Sequence, residues 1–277
     1  MNNFCFYIIS CKKNIPILNL LIYTLKKNLS QKIPIYISMD YKIDLKEEKE
    51  NIIYIGSEEN TRFGKRIYDS LQHVKEKYII VLCDDFIVEK EINLLEIETL
   101  IKCMNEDDLI SSISLESVSG KNEDIYLLPT KLNFRYILRH KYGNYKTTLQ
   151  CSIWNKYAFG RLMKNVSSPW EFELFSNQKS YLCKNKFYAL NNSERAIEYN
   201  RGCFVIRGKI VKPELHRLEK VLNKKIEIEG FEYTDSYDQI DLGIIFKIKR
   251  RIKLILGCIY YRIYSYFREE NLNNEEL

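Results

Sequence analysis

"YIIVLCDDFIV", Tyr78 to Val88, is the stretch on which the fold turns. Apolar residues from Tyr78 run through Cys83 into two adjacent aspartates, Asp84 and Asp85, and the chain is then apolar again. A carboxylate buried without a partner costs several kcal/mol. Two readings follow. Either the pair turns the chain after a buried strand, a common role for Asp, or it meets a ligand. In open α/β sheets ligands bind outside the carboxyl ends of the strands. A Mg²⁺ or Mn²⁺ ion held by one or two carboxylates and by substrate phosphates would relieve the repulsion between Asp84 and Asp85.

The residues before this stretch supply strands and helices in alternation. "FCFYIIS" (Phe4 to Ser10) reads as a first strand. Asn14 and Pro16 open a helix whose stripe is Leu18, Leu21, Ile22, Leu25 and Leu29. "IPIYISMD" ends a second strand in Asp40, and "NIIYIG" (Asn51 to Gly56) is a third. Thr61 to Lys75 is a basic helix leading into the Tyr78 strand. This order predicts a mostly parallel sheet with helices on its faces. A helix over Leu94 to Met104 and a strand over Leu109 to Leu115 continue it. Beyond residue 120 the pattern loosens into a strand at Thr148 to Trp154, a helix at Asn155 to Lys164 and a strand with a turn at Arg201 to Val211. The expected organisation is one domain over 1–240, with a nucleotide-binding half (1–118) and an acceptor half (119–240), then a basic amphipathic helix and tail over 241–277.

The formal net charge is +6, but Ile244 to Arg268 holds seven Lys and Arg and no acid, so the remainder is at 6 − 7 = −1. A near-neutral body argues against nucleic acid as a partner. The eight cysteines form no CxxC pair and several lie in apolar runs, which predicts reduced thiols in a cytoplasmic protein. The N-terminus reads as a strand rather than a signal peptide. No uncharged run approaches the roughly 20 residues needed to span a bilayer. His73, His140 and His216 have no spacing that suggests a metal site or a triad.

The order of strands, Asp40, basic helix and acidic pair resembles the GT-A glycosyltransferases, enzymes with a Rossmann-like sheet and a DxD-type metal motif. "TLQCSIWNKYAFGRLM" (Thr148 to Met163) followed by "SPWEFELFSNQKS" (Ser168 to Ser180) is similar to bacterial members that build capsular and other surface polysaccharides. The likeness runs from about Phe4 to Ser180. It implies a sugar transferred from a nucleotide-diphosphate donor to a growing capsule, exopolysaccharide or lipooligosaccharide, of hexosyl or N-acetylhexosaminyl type, with Mn²⁺ or Mg²⁺ assisting departure of the diphosphate. The chain departs from the pattern at Cys83, where DxD would place an acid, which shifts the metal role to Asp85 with Asp84 helping. Ser176 and Asn177 stand where these enzymes tend to carry Gly-Ser.

The resemblance assigns donor binding to Ser10, Asp40, Arg62 and Asp84. Asp40 at a strand end reads equally as a turn residue. Among Arg62, Lys65 and Arg66, Arg62 is the residue expected at the diphosphate, and a solvated helix face is the alternative. Glu173, then Glu171, are the candidate bases that deprotonate an acceptor hydroxyl, with Trp170 against the acceptor sugar. Ser168-Pro169-Trp170-Glu171 is also a good helix start with no chemistry. Trp154 reads as core. The alternative function is a non-catalytic nucleotide-sugar-binding or scaffold subunit of a polysaccharide assembly complex.

At 245, 248, 252, 255, 259 and 263 isoleucine recurs at helical spacing, with Lys247, Lys249, Arg250, Arg251 and Lys253 off that stripe. Such a helix lies in a membrane interface, which predicts attachment to the inner face of the cytoplasmic membrane through 245–268, beside a lipid-linked acceptor. Packing on the body, or in a homodimer, is the alternative.

Overall fold

The computed structural model describes residues 3–43, 46–48, 51–117, 122–128, 135–143, 145–191, 194–200, 203–235, 251–252, 254–260, 263 and 272–273. The chain opens with β1 (Phe4–Ile9), α1 (Ile15–Asn28), β2 (Ile35–Ser38), β3 (Lys46–Glu48), β4 (Ile52–Ile55), α2 (Phe63–Leu71) and β5 (Tyr78–Cys83). It continues through α3 (Leu94–Glu106), β6 (Ile110–Ser117), β7 (Asn122–Leu127), β8 (Tyr136–Arg139), β9 (Ser152–Asn155), α4 (Lys156–Met163) and β10 (Lys186–Leu190). Among the described residues these strands form a ten-stranded sheet in the order β3-β4-β2-β1-β5-β9-β6-β10-β8-β7.

β4, β2, β1 and β5 are parallel neighbours. β9 is antiparallel to both β5 and β6, so β6 and its parallel partner β10 regain the direction of β5. β8 is antiparallel to both β10 and β7, and β3 to β4. Only β3, β8 and β9 oppose the others, and the sheet is mostly parallel in strand direction, as the sequence pattern predicts. The edge strands β3 and β7 and the inner strands β8 and β10 are the sheet strands that the pattern did not reveal.

The central strands are continuous apolar runs because both faces of the sheet are covered. Successive side chains alternate between the faces. Phe4, Phe6 and Ile8 of β1 join Leu18 and Leu21 of α1 and Leu100 of α3 in one core. Cys5 and Tyr7 join Ile67 and Leu71 of α2 and Phe159 of α4 in the other. Trp154 is fully buried in this second core, in edge contact with Phe172 and Phe187. Helices α2 and α4 meet backbone to backbone at Gly64. Its amide donates to the Val166 carbonyl over 2.8 Å, and a methyl group there would lie 2.0 Å from the Met163 carbonyl oxygen.

Two further segments bear on the site. Residues 169–182 form a broken helix, with α-helical Pro169–Glu171 followed by a π-helical turn at Phe172–Ser176. The Thr147 hydroxyl donates to the Phe172 carbonyl over 3.1 Å, and such a side chain competing for a helix carbonyl widens the ladder. The predicted strand and turn near residue 205 is a hairpin, β11 (Val205–Ile206) and β12 (Lys209–Val211), extended by β13 (Glu232–Thr234). Its turn residues Arg207 and Gly208 have φ of 54° and 72°, the left-handed pair that a tight hairpin needs. Arg201 lies outside the described residues.

The C-terminal segment is helical at 251–252, 254–260 and 263. Ile245 and Ile248 of the expected stripe, and Lys247, Lys249, Arg250 and Lys253, lie outside the described residues. No helix among the described residues is long and apolar enough to cross a membrane.

Glu96, in the first turn of α3, is fully buried. Burial raises its carboxyl from 4.5 to about 7, with the Tyr136 hydroxyl drawing it back. A raised folded-state pKa gives stability that is complete below 4.5 and lost as pH rises to about 7. We therefore expect Glu96→Gln to be more stable than the parent at pH 8 by roughly 1–3 kcal/mol, with the difference closing by pH 4. Urea unfolding at the two pH values measures it, and an equal difference at both would exclude Glu96 titration as its source.

Candidate active site

The carboxyl ends of β1, β2 and β5 lie side by side, because these strands are paired in parallel with Ile9 opposite both Ser38 and Cys83. This brings Ser10, Asp40, Asp84 and Asp85 to one edge of the sheet. Asp84 is buried, and both of its oxygens are engaged. The Ser10 hydroxyl donates to one over 2.7 Å and the Asn14 side-chain amide to the other over 3.2 Å. Burial nevertheless raises its carboxyl above the ordinary range, against the lowering effect of those two donors.

Asp85 is different. It is half-buried, and among the described residues it receives only its own amide. Burial first, and the Asp84 charge second, push its carboxyl up to about 7. A group left in this state is what a cation would bring back to the ionised form. Among the described residues no three His, Cys, Asp or Glu converge on a point. An ion held here by Asp85 would need ligands from a bound phosphate to complete its shell.

Asp40 is exposed and accepts from the Lys12 amide over 2.7 Å. Arg62 is exposed at the start of α2. The arginine turned inward is Arg66, one helical turn on. It is buried and donates to the carbonyls of Ser10 over 2.6 Å and Ser38 over 3.4 Å, which clamps the ends of β1 and β2. Lys65 instead pairs with Asp69 on the exposed face.

Glu173 reaches the same edge from the second half of the chain. One of its oxygens accepts from the Thr148 hydroxyl and from the Leu149 amide, each over 3.2 Å. The Cys83 thiol donates to the Leu149 carbonyl over 3.9 Å. Burial and then the charges of Asp85, Asp84 and Glu173 hold that thiol well above its ordinary range. Cys83 thus lies close enough to the acidic pair and to Glu173 to feel the charge of each. Glu171 is occupied otherwise. Its carboxylate accepts from the Ser167 amide over 2.7 Å, while its own amide donates to the Ser168 hydroxyl over 3.3 Å. This is helix capping. Trp170 is 72% exposed.

A second polar group extends the edge and was not anticipated from sequence. Phe86 stacks on Tyr199 at 4.5 Å, the Tyr199 hydroxyl donates to Gln150 over 3.0 Å, and the Arg195 guanidinium lies 5.5 Å from the Tyr199 ring centre. Arg195 pairs with Glu116 at 2.5 Å. Glu116 sits at the end of β6, and the strand-end rule applied to Asp84 would have found it. Arg195 has no such signal.

No protein-family model matches the chain, and no curated protein does. Solved structures do. S. aureus TarS 1–349 aligns at 14% identity and a TM-score of 0.44, over 94% of this chain and 72% of that one. The longer S. aureus TarS structure aligns at 13% identity and a TM-score of 0.44, over 91% of this chain and 42% of that one. TarS 1–349 in complex with UDP-GlcNAc aligns at 12% identity and a TM-score of 0.42, over 93% of this chain and 72% of that one. Likeness at this level assigns neither family nor activity.

Asp85 raises a folded-state pKa above its unfolded value, so its contribution to stability is complete below 3.8 and lost as pH rises through about 7. In chelator-treated buffer Asp85→Asn should melt roughly 2–4 °C above the parent at pH 8 and with it at pH 3.5. Equal melting temperatures at pH 8 would mean a solvated carboxylate with no unmet demand for a cation.

Proposed function

We propose that the chain is a GT-A-type glycosyltransferase that moves a sugar from a nucleotide-diphosphate donor to a growing surface glycan. The observation that supports this best is that Asp85, which among the described residues receives only its own amide, and Glu173 both lie near Cys83 at the sheet edge. In this reading the nucleotide lies across the ends of β1 and β2, near Ser10 and Asp40, with Arg66 fixing the backbone beneath it. Asp85, with Asp84 behind it, would hold a Mn²⁺ or Mg²⁺ ion beside the donor diphosphate. When bound, the ion neutralises charge developing on the leaving diphosphate.

Glu173 is oriented by Thr148 and Leu149 through one oxygen, and its other oxygen takes the proton of the acceptor hydroxyl. That hydroxyl oxygen bonds to the anomeric carbon as the bond to the diphosphate breaks, and the bonding pair leaves on the diphosphate oxygen. A base on the acceptor side of this kind suits inversion. Trp170 offers an exposed ring against which an acceptor sugar stacks. The acceptor is a glycan on a lipid carrier, and the enzyme works from the cytoplasmic side of the membrane.

Cys83 at the first position of the acidic motif favours one rival, a subunit that binds the donor without turning it over. Measured donor hydrolysis with Mn²⁺, absent after chelation, supports the enzyme. Donor binding without hydrolysis in either condition supports the rival. Within the enzyme reading, Glu173→Gln should retain donor affinity in calorimetry and lose transfer by about 10²–10⁴-fold. Glu171→Gln should lower the melting temperature and leave the transfer rate of the folded protein near that of the parent. Full transfer activity in Glu173→Gln removes the assignment of the base.

A further inference from the structure

The helical residues 251–252 and 254–260 are seated on the body through Gln178. The Gln178 side-chain amide donates to the Leu254 carbonyl over 2.9 Å and to the Cys258 sulfur over 3.2 Å. At Gly257 a methyl group would lie 2.2 Å from the Gln178 side-chain oxygen, so the helix is seated as closely as its backbone permits. Leu254, Gly257 and Cys258 fall on one face at 100° per residue. On the opposite face Ile252, Ile255, Leu256, Ile259, Tyr260 and Ile263 are between 51% and 62% exposed. The apolar stripe therefore points away from the body, which settles for these residues that it does not pack on the chain's own core.

We infer that this outward face is a docking surface for an anionic lipid bilayer. A contiguous exposed apolar helix face requires a cover, and the sequence around it states which. Ile244 to Arg268 carries seven Lys and Arg with no Asp or Glu. A second copy docked here would bring together two segments of this same net charge, whereas a leaflet of anionic lipid supplies the opposite charge along with the apolar medium. Tyr260, exposed beside the isoleucines, belongs to the type of residue that sits at headgroup depth. The seat on Gln178 has a further effect. Gln178 lies five residues beyond Glu173 in the same broken helix, so a membrane bound to the outer face is held in a fixed relation to the segment bearing the proposed base. The lipid-binding face does not depend on the transferase chemistry and is tested apart from it.

The test is flotation of the full chain with vesicles of equal parts phosphatidylglycerol and phosphatidylcholine at low salt, compared with phosphatidylcholine alone. The parent should float with the mixed vesicles and largely remain behind with the neutral ones. The double variant Ile255→Ser/Ile259→Ser removes exposed side chains only. It should lose the bound fraction by about tenfold or more, with its melting temperature and its nucleotide binding in solution unchanged. Absence of flotation by the parent overturns the inference. So does equal flotation of the variant, or a parent that runs as a dimer in light scattering and becomes a monomer in the variant. Loss of flotation with intact nucleotide binding leaves the donor-site reading untouched, and intact flotation without nucleotide binding does the reverse.

Discussion

The site depends on the capture of Asp84 by Ser10 and Asn14. A carboxylate at the end of a fully buried strand needs donors, and the parallel pairing of β1 with β5 puts two of them within reach. Both come from the turn that follows β1, so the bond fixes the first strand's end against the fifth. Alternation along the chain then leaves the next carboxylate, Asp85, without those donors. One aspartate secures the sheet edge, and because it is secured its neighbour stands in a partly desolvated position beside a like charge. The unmet electrostatic demand at Asp85 follows directly from the satisfied demand at Asp84.

The second half of the chain reaches this edge through a reversed strand. β9 runs antiparallel between β5 and β6, so residues 148–151 enter it from the edge where β5 ends. That direction places Thr148 and Leu149 next to Cys83, where they hold Glu173. The π-helical turn that presents Glu173 is anchored by Phe172 in the aromatic group around Trp154 and Phe159. The same packing that buries the aromatic residues thus sets the position of the carboxylate.

Much of this was legible in the sequence where burial is complete on both faces. β1, β2, β5 and β9 are short apolar runs and were found as such, as was the half-buried β4, whereas the buried β10 (Lys-Phe-Tyr-Ala-Leu) was not. β3 (Lys-Glu-Glu) and β7, which begins Asn-Glu-Asp, are held by backbone pairing at the edges and carry no apolar pattern to find. The placement of Ser10 and the acidic pair at strand ends, and of Glu173 just after a helix start, was legible because such positions are marked by residue type. The choice between Arg62 and Arg66 was not, since it depends on the phase of α2 against the sheet, and a run of basic residues does not reveal that phase. Ser168 to Glu171 read as a helix start, and Glu171 bonds there to the Ser167 amide and the Ser168 hydroxyl. The isoleucine stripe was legible as a stripe, but its period is the same whether it faces inward or outward. Only the contact with Gln178 decides between them.

Gly64 carries a consequence for motion. Its amide bonds to the Val166 carbonyl with no side chain between the two backbones. Arg66, beneath the ends of β1 and β2, lies in the same helix as Gly64. Ser176, at the end of the π-helical turn, donates to the Leu162 carbonyl of α4 over 2.8 Å. The two halves of the cleft are therefore joined by a main-chain bond at Gly64 and by the buried Ser176 hydroxyl on a helix carbonyl. A shear between the first and second halves would have to break those bonds. Admission and release of substrates then fall to the loops above the sheet edge, and the floor of the cleft acts as a single rigid plate.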